Sequence, residues 1–298
     1  MAGETAPVRA FTSTLSAGEF HAIRSAGFTP LGQVFGGCVY QIANTGLWNC
    51  NSSRVSVSGV GRRRAMGQPA TAVQLGPWLR ALGLRGGRSI GFNSTAAMVN
   101  PLPELSQALY EARVLAMERA RQECEQLGGD GVVAVRLKTE PFPGGGLEVQ
   151  VVGTAVRADG PIRPARPFLS DLSGQEFAVL VRAGWVPCAL VLGIATMIRH
   201  KDWGTRWTTG WSNQEVPGYT QLVQKVRAAA REGLRQDCAH HGGSTVVIRE
   251  MTLHIREQEC GENTYDHVAE SVIVGTALVP FEHVGGNAPD APLTVRRL

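Results

Sequence analysis

The sequence predicts an α+β fold that consists of two tandem copies of a small α-β-α-β-β module, each a sheet packed on one long helix. Three observations lead to this prediction. Similar blocks recur in the same order in both halves of the chain, each half opens with a helix-capping motif, and each half contains a long helix followed by two β-rich runs. The length of 298 residues agrees with two domains.

The internal repeat is visible in three collinear blocks. Phe11–Phe20 aligns with Phe168–Phe177 at an offset of 157 residues. The other pairs are Gly128–Val133 with Gly242–Val247, at an offset of 114, and Val152–Ala155 with Val274–Ala277, at an offset of 122. Because the offset falls from 157 to 114 and then rises to 122, the first copy holds 43 additional residues and the second copy holds 8. Three blocks in one order indicate a duplication.

Each copy opens with a short helix that begins at a capping box and ends at a glycine. Ser16 and Ser173 each precede a glutamate by three positions. In this S-x-x-E pattern the serine hydroxyl accepts a hydrogen bond from the third N–H of the helix, and the glutamate accepts one from the serine N–H. Gly27 and Gly184 follow the helices, where glycine tolerates the left-handed conformation. The β-rich runs that come next are Phe28–Ile42 and Trp185–Ile198.

Apolar residues at steps of three and four predict one long helix in each copy. The two stripes are Leu105, Leu109, Ala112, Ala116, Ala120 and Cys124 in the first copy, and Val223, Val226, Ala230, Leu234 and Cys238 in the second. A Gly-Gly pair ends each helix. The strands predicted after these glycines are Val132–Leu137 and Leu147–Val156 in the first copy, and Val246–Leu253 and Ser271–Val279 in the second.

The repeat also predicts the domain boundaries. The first module is expected at residues 11–159, with an insertion at about 44–100, and the second at residues 168–283. Residues 160–167 contain three prolines and no helical pattern, which indicates a linker. Residues 1–10 and 284–298 are assigned to tails.

Composition favours a cytoplasmic protein that forms an oligomer. Only 18% of the residues are charged, so less of the surface is obliged to face water than in an average soluble chain. The start of the sequence lacks the pattern of a secretory signal. The uncharged run 183–198 is short for a membrane span and contains two glycines and a proline, so it is predicted to be a buried strand or hairpin and no transmembrane segment is expected. The six cysteines form no C-x-x-C pair, which favours reduced thiols.

The repeated blocks resemble the YbjQ-like family, whose domain is labelled heavy-metal-binding. The residues that carry the resemblance are Pro30–Gly36, Ala108–Arg113, Leu127–Val133 and Val152–Ala155, with looser matches at Gly242-Gly243, Val246-Val247 and Val274–Ala277. The resemblance covers most of both copies but not residues 44–100 or the tails. It implies a dodecin-like fold and a homo-oligomer built as a pentamer-like ring. Two fused copies leave a ring of fused dimers and two stacked rings open. The resemblance implies no metal-ligand set that can be transferred.

Cys238, His240 and His241 form the best metal candidate. Cys238 and His241 are three positions apart and share a helix face, and thiolate with imidazole suits Zn²⁺ or Cu⁺. A further ligand is expected from Cys260, His254 or His267. The structural alternative is that histidines at a helix C-terminus are stabilised by the helix dipole without any metal.

The equivalent positions of the first copy argue for that structural alternative. Gln126 and Leu127 stand where the second copy has its two histidines, so the pair is not a feature of the module. Cys124 and Cys238 share one repeat position on the apolar stripe, where free cysteine behaves as a small buried hydrophobic residue. Burial is the favoured interpretation for both.

Two motifs in the insertion of the first copy invite other functions. Gly87–Gly91 matches the G-x-S-x-G pattern around Ser89, but that motif needs a strand before it and a helix after it, so the match is interpreted as chance. Arg62, Arg63 and Arg64 lie in a segment without any acidic residue and could contact nucleic acid, an anionic lipid surface or an acidic protein. A solvated loop is the favoured alternative.

Trp203, Trp207 and Trp211 in the second copy are expected to be buried or to line a subunit interface, with a planar-ligand pocket as the alternative. The sequence shows no other arrangement of side chains typical of catalysis. It therefore predicts a non-enzymatic, self-assembling protein with a metal ion or small molecule as its candidate ligand. An interaction protein that uses the Arg-rich insertion is the alternative, and a hydrolase at Ser89 is third.

Overall fold

The structure is a computed structural model that describes residues 11–42, 99–143, 146–161, 163–200, 215–261 and 264–281. Its elements are α1 (Ala17–Ser25), β1 (Phe28–Gln41), β2 (Val99–Pro101), α2 (Pro103–Gln126), β3 (Gly131–Phe142), β4 (Gly146–Ala158), β5 (Phe168–Leu169), α3 (Gly174–Arg182), β6 (Trp185–His200), α4 (Pro217–His240), β7 (Thr245–Gly261) and β8 (Thr264–Pro280). The predicted α+β class is confirmed. Residues 11–161 are called the N-terminal half below, and residues 163–281 the C-terminal half.

The strands form two four-stranded sheets. The N-terminal sheet has the order β1-β4-β3-β5, and the C-terminal sheet has the order β2-β6-β8-β7. All neighbours are antiparallel except β3 and β5. Each half contributes one short strand to the sheet of the other half, because β5 pairs with β3 and β2 pairs with β6. Main-chain hydrogen bonds therefore interlock the two halves.

The two short helices have the predicted caps. The Ser16 hydroxyl accepts a hydrogen bond from the Glu19 N–H at 3.3 Å, and the Glu19 carboxylate accepts one from the Ser16 N–H at 2.8 Å. Ser173 and Glu176 form the same pair of hydrogen bonds at the start of α3. Gly27 and Gly184 follow the helices with φ angles of 81° and 82°, values that L-residues with a Cβ rarely adopt.

Helix α2 lies between the two sheets. One core cluster contains α2 residues such as Ala112 and Met117 together with side chains of both sheets. The residues of the C-terminal sheet in this cluster are Leu190, Leu192, Ile194, Val272 and Val274. Five of the six members of the predicted apolar stripe of α2 are buried, whereas Leu105 is only partly buried. A second stripe that includes Ser106, Arg113 and Arg121 is also buried. The C-terminal sheet is thus apolar on both faces.

Helix α4 packs against the other face of the C-terminal sheet. Its buried residues include Leu222, Val226, Ala230, Leu234 and Cys238. The predicted stripe began one residue later, at Val223, which is only partly buried. This part of the prediction was wrong because a one-residue step separates two adjacent apolar residues on the helix by about 100°.

Both long helices approach their strands closely at a glycine. A Cβ built on Gly36 would lie 2.0 Å from the Ala116 carbonyl oxygen, and one on Gly193 would lie 2.1 Å from the Ala230 carbonyl oxygen. Neither contact leaves room for a side chain. Only glycine permits the helix backbone to lie directly on the sheet at these positions.

The predicted strands are present, and all except β1 are longer than predicted; β1 ends at Gln41, one residue before the predicted end at Ile42. The run 183–198 contributes to β6, as the strand interpretation required. The 8 additional residues of the second copy lengthen the β7–β8 hairpin, and 259–261 belong to β7. None of the described helices is long and apolar enough to cross a membrane.

Candidate functional site

Several buried polar side chains link the two halves of the chain where they contact each other. The Tyr110 hydroxyl on α2 donates a hydrogen bond of 2.9 Å to Oδ1 of Asp237 on α4, and Oδ2 of Asp237 accepts the Leu192 N–H at 2.8 Å. Burial raises the pKa of the Asp237 carboxyl, and the Leu192 N–H opposes this effect. The carboxyl thus connects α2, α4 and β6.

A buried arginine lies on the same side of α2. The Arg113 guanidinium is 3.8 Å from the Glu270 carboxylate of β8 and donates a hydrogen bond of 2.7 Å to the Leu109 carbonyl oxygen. Burial lowers the pKa of Arg113, and the charge of Glu270 opposes this shift. A buried charge costs free energy unless it is paired, so Glu270 and the carbonyl oxygen keep the charged side chain compatible with this interface.

Two buried hydroxyl groups, of Ser106 and Thr196, link the start of α2 to β6. The Ser106 and Thr196 hydroxyls are 2.8 Å apart, and the Thr196 N–H donates a hydrogen bond of 2.9 Å to the Ser106 hydroxyl. The Leu102 carbonyl oxygen lies within hydrogen-bond distance of both hydroxyls, and it accepts a hydrogen bond from the hydroxyl that does not donate to the other. A cavity of about 10 Å³ lies beside Tyr110 and Asp237, which is large enough for one water molecule at most. The interface is therefore packed rather than a ligand pocket.

The predicted metal residues at the end of α4 have other partners. The Cys238 thiol is buried and lies 3.9 Å from the Thr245 carbonyl oxygen. Nδ1 of His241 is 2.9 Å from the Asp237 carbonyl oxygen and 3.5 Å from its carboxylate, and His240 is exposed. Within the described ranges, no three His, Cys, Asp or Glu side chains converge as the ligands of a metal ion do.

Cys260 and His267 lie at the far end of the C-terminal half. Cys238 adjoins Thr245 at the start of β7, and Cys260 is 15 residues further along that strand, which is roughly 50 Å at the rise of a β-strand. The His267 ring packs against Tyr219 in the first turn of α4, with the ring centroids 4.5 Å apart, whereas Cys238 is in the last turn, about 28 Å along the helix axis. Within one chain, Cys260 and His267 are therefore far from Cys238 along the strand and the helix, and the metal site stays a prediction.

Cys124 occupies the position that the apolar stripe predicted. Its thiol is buried against Gly129 and donates a hydrogen bond of 3.4 Å to the Gly131 carbonyl oxygen. Burial raises the pKa of the thiol to about 12, and the charge of Asp130 adds to this shift. A thiol in this state is neither a ready nucleophile nor a ready metal ligand, since both roles need the thiolate.

Several predicted residues lie outside the described part of the chain. Their group comprises Arg62, Arg63 and Arg64, Ser89, and Trp203, Trp207 and Trp211. The contact with an anionic partner, the hydrolase and the tryptophan surface therefore stay predictions.

The sequence did not predict a polar cluster at the N-terminal end of α4. Nε2 of His267 is 3.0 Å from the Glu257 carboxylate, and the Arg199 guanidinium lies 5.6 Å from the centre of the Tyr219 ring. Arg199, Asp266 and His267 are all buried. Successive residues of a strand point to opposite faces of the sheet, so the sequence could have separated Asp266 from His267. The burial of His267 also depends on Tyr219, whose ring packs against it, and the sequence alone did not show this contact.

Known proteins resemble this chain over different lengths. The YbjQ family model, described as "Putative heavy-metal-binding", matches residues 87–159. A UPF0145 protein of Halorubrum lacusprofundi is 35% identical over 74 residues, which make up 24% of this chain and 71% of that protein. The chain belongs to the YbjQ-like family. The membership predicted from the repeated blocks is thus confirmed.

Two further relatives show how far this YbjQ-like chain extends beyond the family match. A UPF0145 protein of Natronomonas pharaonis is 45% identical over 56 residues, 19% of this chain, and the match covers only 54% of that relative. A protein of Mycobacterium tuberculosis, named an encapsulin nanocompartment protein, is 29% identical over 247 residues, 80% of this chain and 76% of its own length. The second similarity spans both halves of the chain.

Proposed function

We propose that this YbjQ-like protein is a non-enzymatic, self-assembling protein that forms a structural part of a larger homo-oligomer. The observation that carries the proposal is a difference between the two sheets: both faces of the C-terminal sheet are buried, whereas Phe35 and Val39 of the N-terminal sheet are 50% and 55% exposed. Leu190, Leu192 and Val274 face α2, while Val191 and Ile273 face α4. A sheet that is apolar on both faces needs cover on each side, and in this chain the second cover comes from the other half.

The proposal includes the finer organisation of the chain. The two modules are residues 11–159 and 168–283, the linker is 160–167, and each module has the α-β-α-β-β order of a dodecin-like unit. The similarity to the encapsulin nanocompartment protein supports an assembly role, because it spans most of both chains. If both modules of every chain lie in one ring, that ring contains an even number of modules. If the modules form two stacked rings, a pentamer of chains holds five modules in each ring.

A reducing compartment such as the cytoplasm belongs to the same proposal. The described cysteines Cys38, Cys124, Cys188 and Cys238 are free thiols. Binding of Zn²⁺ or Cu⁺ at Cys238 and its neighbouring histidines stays a separate prediction.

Native mass spectrometry of the untagged protein, purified under reducing conditions, tests the proposal. The expected result is a mass that is a defined multiple of the 31.9 kDa chain. A monomer at every concentration, confirmed by sedimentation velocity, would contradict self-assembly. The same spectra test the metal separately, because bound zinc or copper adds a discrete mass to each chain and is lost upon chelation.

A further inference from the structure

The C-terminal half supplies a strand segment that covers the edge of the N-terminal sheet. The Phe168 and Ser170 N–H groups donate hydrogen bonds to the Asp130 and Val132 carbonyl oxygens, at 3.2 and 2.9 Å. In return, the Ala134 N–H donates to the Leu172 carbonyl oxygen at 2.8 Å. The segment Phe168–Leu172 thus pairs alongside β3, so this edge of the N-terminal sheet is not free.

Helix α3, which follows this segment, covers the apolar end of the same sheet. Phe177 is 0% exposed and packs in one cluster with Val133 and Ile23 of the N-terminal half. The centroids of the Phe177 and Phe28 rings are 4.9 Å apart in an edge-to-face arrangement, which is a favourable geometry for two aromatic rings. Phe177 is therefore the central apolar side chain of this contact.

The C-terminal half has a strand edge and an apolar surface that correspond to those of the N-terminal half, but no described segment of the chain covers them. β7 corresponds to β3, yet it is the last strand of its sheet, and none of the described strands pairs with its outer edge. Val247, which the repeat aligns with Val133, is 37% exposed although Val133 is 0% exposed. A groove of about 370 Å³ opens here, lined mainly by Leu172, Val179, Leu180 and Val247.

The side chains that would fill this groove are exposed at the other end of the chain. Phe11 and Phe20, which align with Phe168 and Phe177, are 50% and 39% exposed, and their rings form an edge-to-face pair with centroids 5.7 Å apart. Exposed aromatic rings are costly in water and are common at the centres of interfaces. The N-terminal half therefore carries the side chains that could fill such a groove, and the C-terminal half carries the groove.

We propose that the segment Phe11–Leu15 and helix α1 of a second copy of this chain dock on β7 and α3 of the first, and so repeat between chains the contact that joins the two halves. Phe20 of the second copy enters the groove beside Val179, Leu180 and Val247. The backbone of its Phe11–Leu15 segment pairs with the edge of β7 from Ser244 to Arg249. This inference deepens the proposed function and rests on it, since it specifies how the chains assemble.

The charges of the chain fit the same arrangement. Within the chain, Arg113 of α2 forms an ion pair with Glu270 on the face of the C-terminal sheet that packs against α2. The repeat aligns Arg113 with Arg227 of α4, and Glu270 with Glu148 of β4, and Arg227 is exposed while Glu148 is only partly buried. The docking that brings Phe20 to the groove also brings the sheet face that carries Glu148 towards α4. The opposite charges favour this register.

The contact uses a different surface on each partner, so every chain offers one free surface of each kind. Such a heterologous contact continues from chain to chain until a ring closes. A two-fold dimer would instead use the same surface twice. This difference makes the proposal testable with variants that remove one surface at a time.

Phe20→Asp removes the inserted side chain, and Val179→Asp places a charge in the groove. Both side chains are exposed in the single chain, so neither substitution is expected to unfold it. Leu115→Asp on α2 is the matched control, because Leu115 is as exposed as Phe20, at 39%, and lies outside the proposed contact. Each of the first two variants is expected to raise the dissociation constant of the assembly by at least about 30-fold in sedimentation velocity, and the control to leave it unchanged.

Mixing the two variants is the decisive measurement. The Phe20→Asp chain keeps an intact groove and the Val179→Asp chain keeps an intact Phe20, so an equimolar mixture is expected to form a 1:1 heterodimer and no larger species. If the wild-type protein assembles and both variants assemble equally well, this inference is overturned while the proposed function stands. If the wild-type protein is monomeric, both fail.

Discussion

The Tyr110 hydroxyl donates a 2.9 Å hydrogen bond to the Asp237 carboxylate across a sequence separation of 127 residues. Tyr110 belongs to α2 and Asp237 to α4, so the bond joins the long helices of the two halves around the edge of β6. The same carboxylate also accepts the Leu192 N–H at 2.8 Å. One buried carboxyl therefore couples the register of β6 to the positions of both helices.

Tyr110→Phe is expected to lower the free energy of unfolding by about 1–3 kcal/mol, because a buried carboxylate loses a hydrogen-bond donor. Urea denaturation at a fixed protein concentration measures the change. Tyr40→Phe is the matched control, since its hydroxyl donates to Glu111 at 2.9 Å within the N-terminal half and is less buried. An equal loss of unfolding free energy in both variants would show that the hydrogen bond between the halves stabilises the protein no more than one within a half.

The buried Asp237 carboxyl predicts a defined pH dependence. Its folded-state pKa is raised above the ordinary value of 3.8, mainly by burial, so the folded protein binds more protons than the unfolded chain above that pH. The contribution of this group to stability is therefore fully present below about pH 3.8 and is lost as the pH rises through the folded pKa.

Asp237→Asn removes this titration. The difference in unfolding free energy, wild type minus variant, is expected to decrease as the pH rises from about 4 to 7, by at most about 1.4 kcal/mol per pH unit. Urea denaturation of both proteins at several pH values gives this difference, in which the titration of all other groups largely cancels. A difference that grows with pH would mean that the folded pKa is lowered instead.

Gly36→Ala is expected to lower the free energy of unfolding by about 1–3 kcal/mol or more, because the new methyl group would overlap the α2 backbone at Ala116. Gly32→Ala is the control in the same strand, where the new methyl group would lie 3.7 Å from the nearest atom of Leu127. Thermal unfolding of the two variants gives the comparison. Equal stabilities would show that α2 can move away from β1 at little cost.

Cys124 is expected to resist alkylation in the folded protein. Its thiol is fully buried and has a pKa raised to about 12, so both access and the thiolate fraction are low near pH 8. Mass spectrometry of peptides after brief treatment with iodoacetamide should show labelling of Cys124 at least about 100-fold slower in buffer than in urea. Comparable rates would indicate that α2 separates from the sheets on the time scale of the reaction.

Local signals in the sequence were sufficient for the helices and the long strands of this fold, but not for the short strands β2 and β5. The two capping boxes, the glycines after them and the apolar stripe of α2 depend on residues within a few positions of one another, and the structure has all of them. Only the first member of the α4 stripe was misplaced, at Val223 instead of Leu222, because both residues are apolar and only packing on β6 chooses between them. The sequence did not show which element holds the 8 additional residues, because a hairpin can lengthen without a change of local pattern.

The metal prediction shows the limit of spacing arguments. Cys238 and His241 share a helix face, as their spacing indicated, but the length of β7 puts Cys260 at the opposite end of the sheet. Whether residues on different elements lie close together depends on where each strand ends in space. No local sequence pattern predicts that position.

By itself, the sequence determined the family, the α+β class and the repeated order of helices and strands, since these depend on short-range hydrogen bonding and apolar periodicity. Only the tertiary structure decided that α2 is covered on both sides, so that Arg113 and Tyr110 are interface residues rather than solvated ones. The physical reason is that the cost of burying a polar group is offset by partners such as Glu270 and Asp237. Those partners lie more than a hundred residues away, beyond the reach of any local pattern.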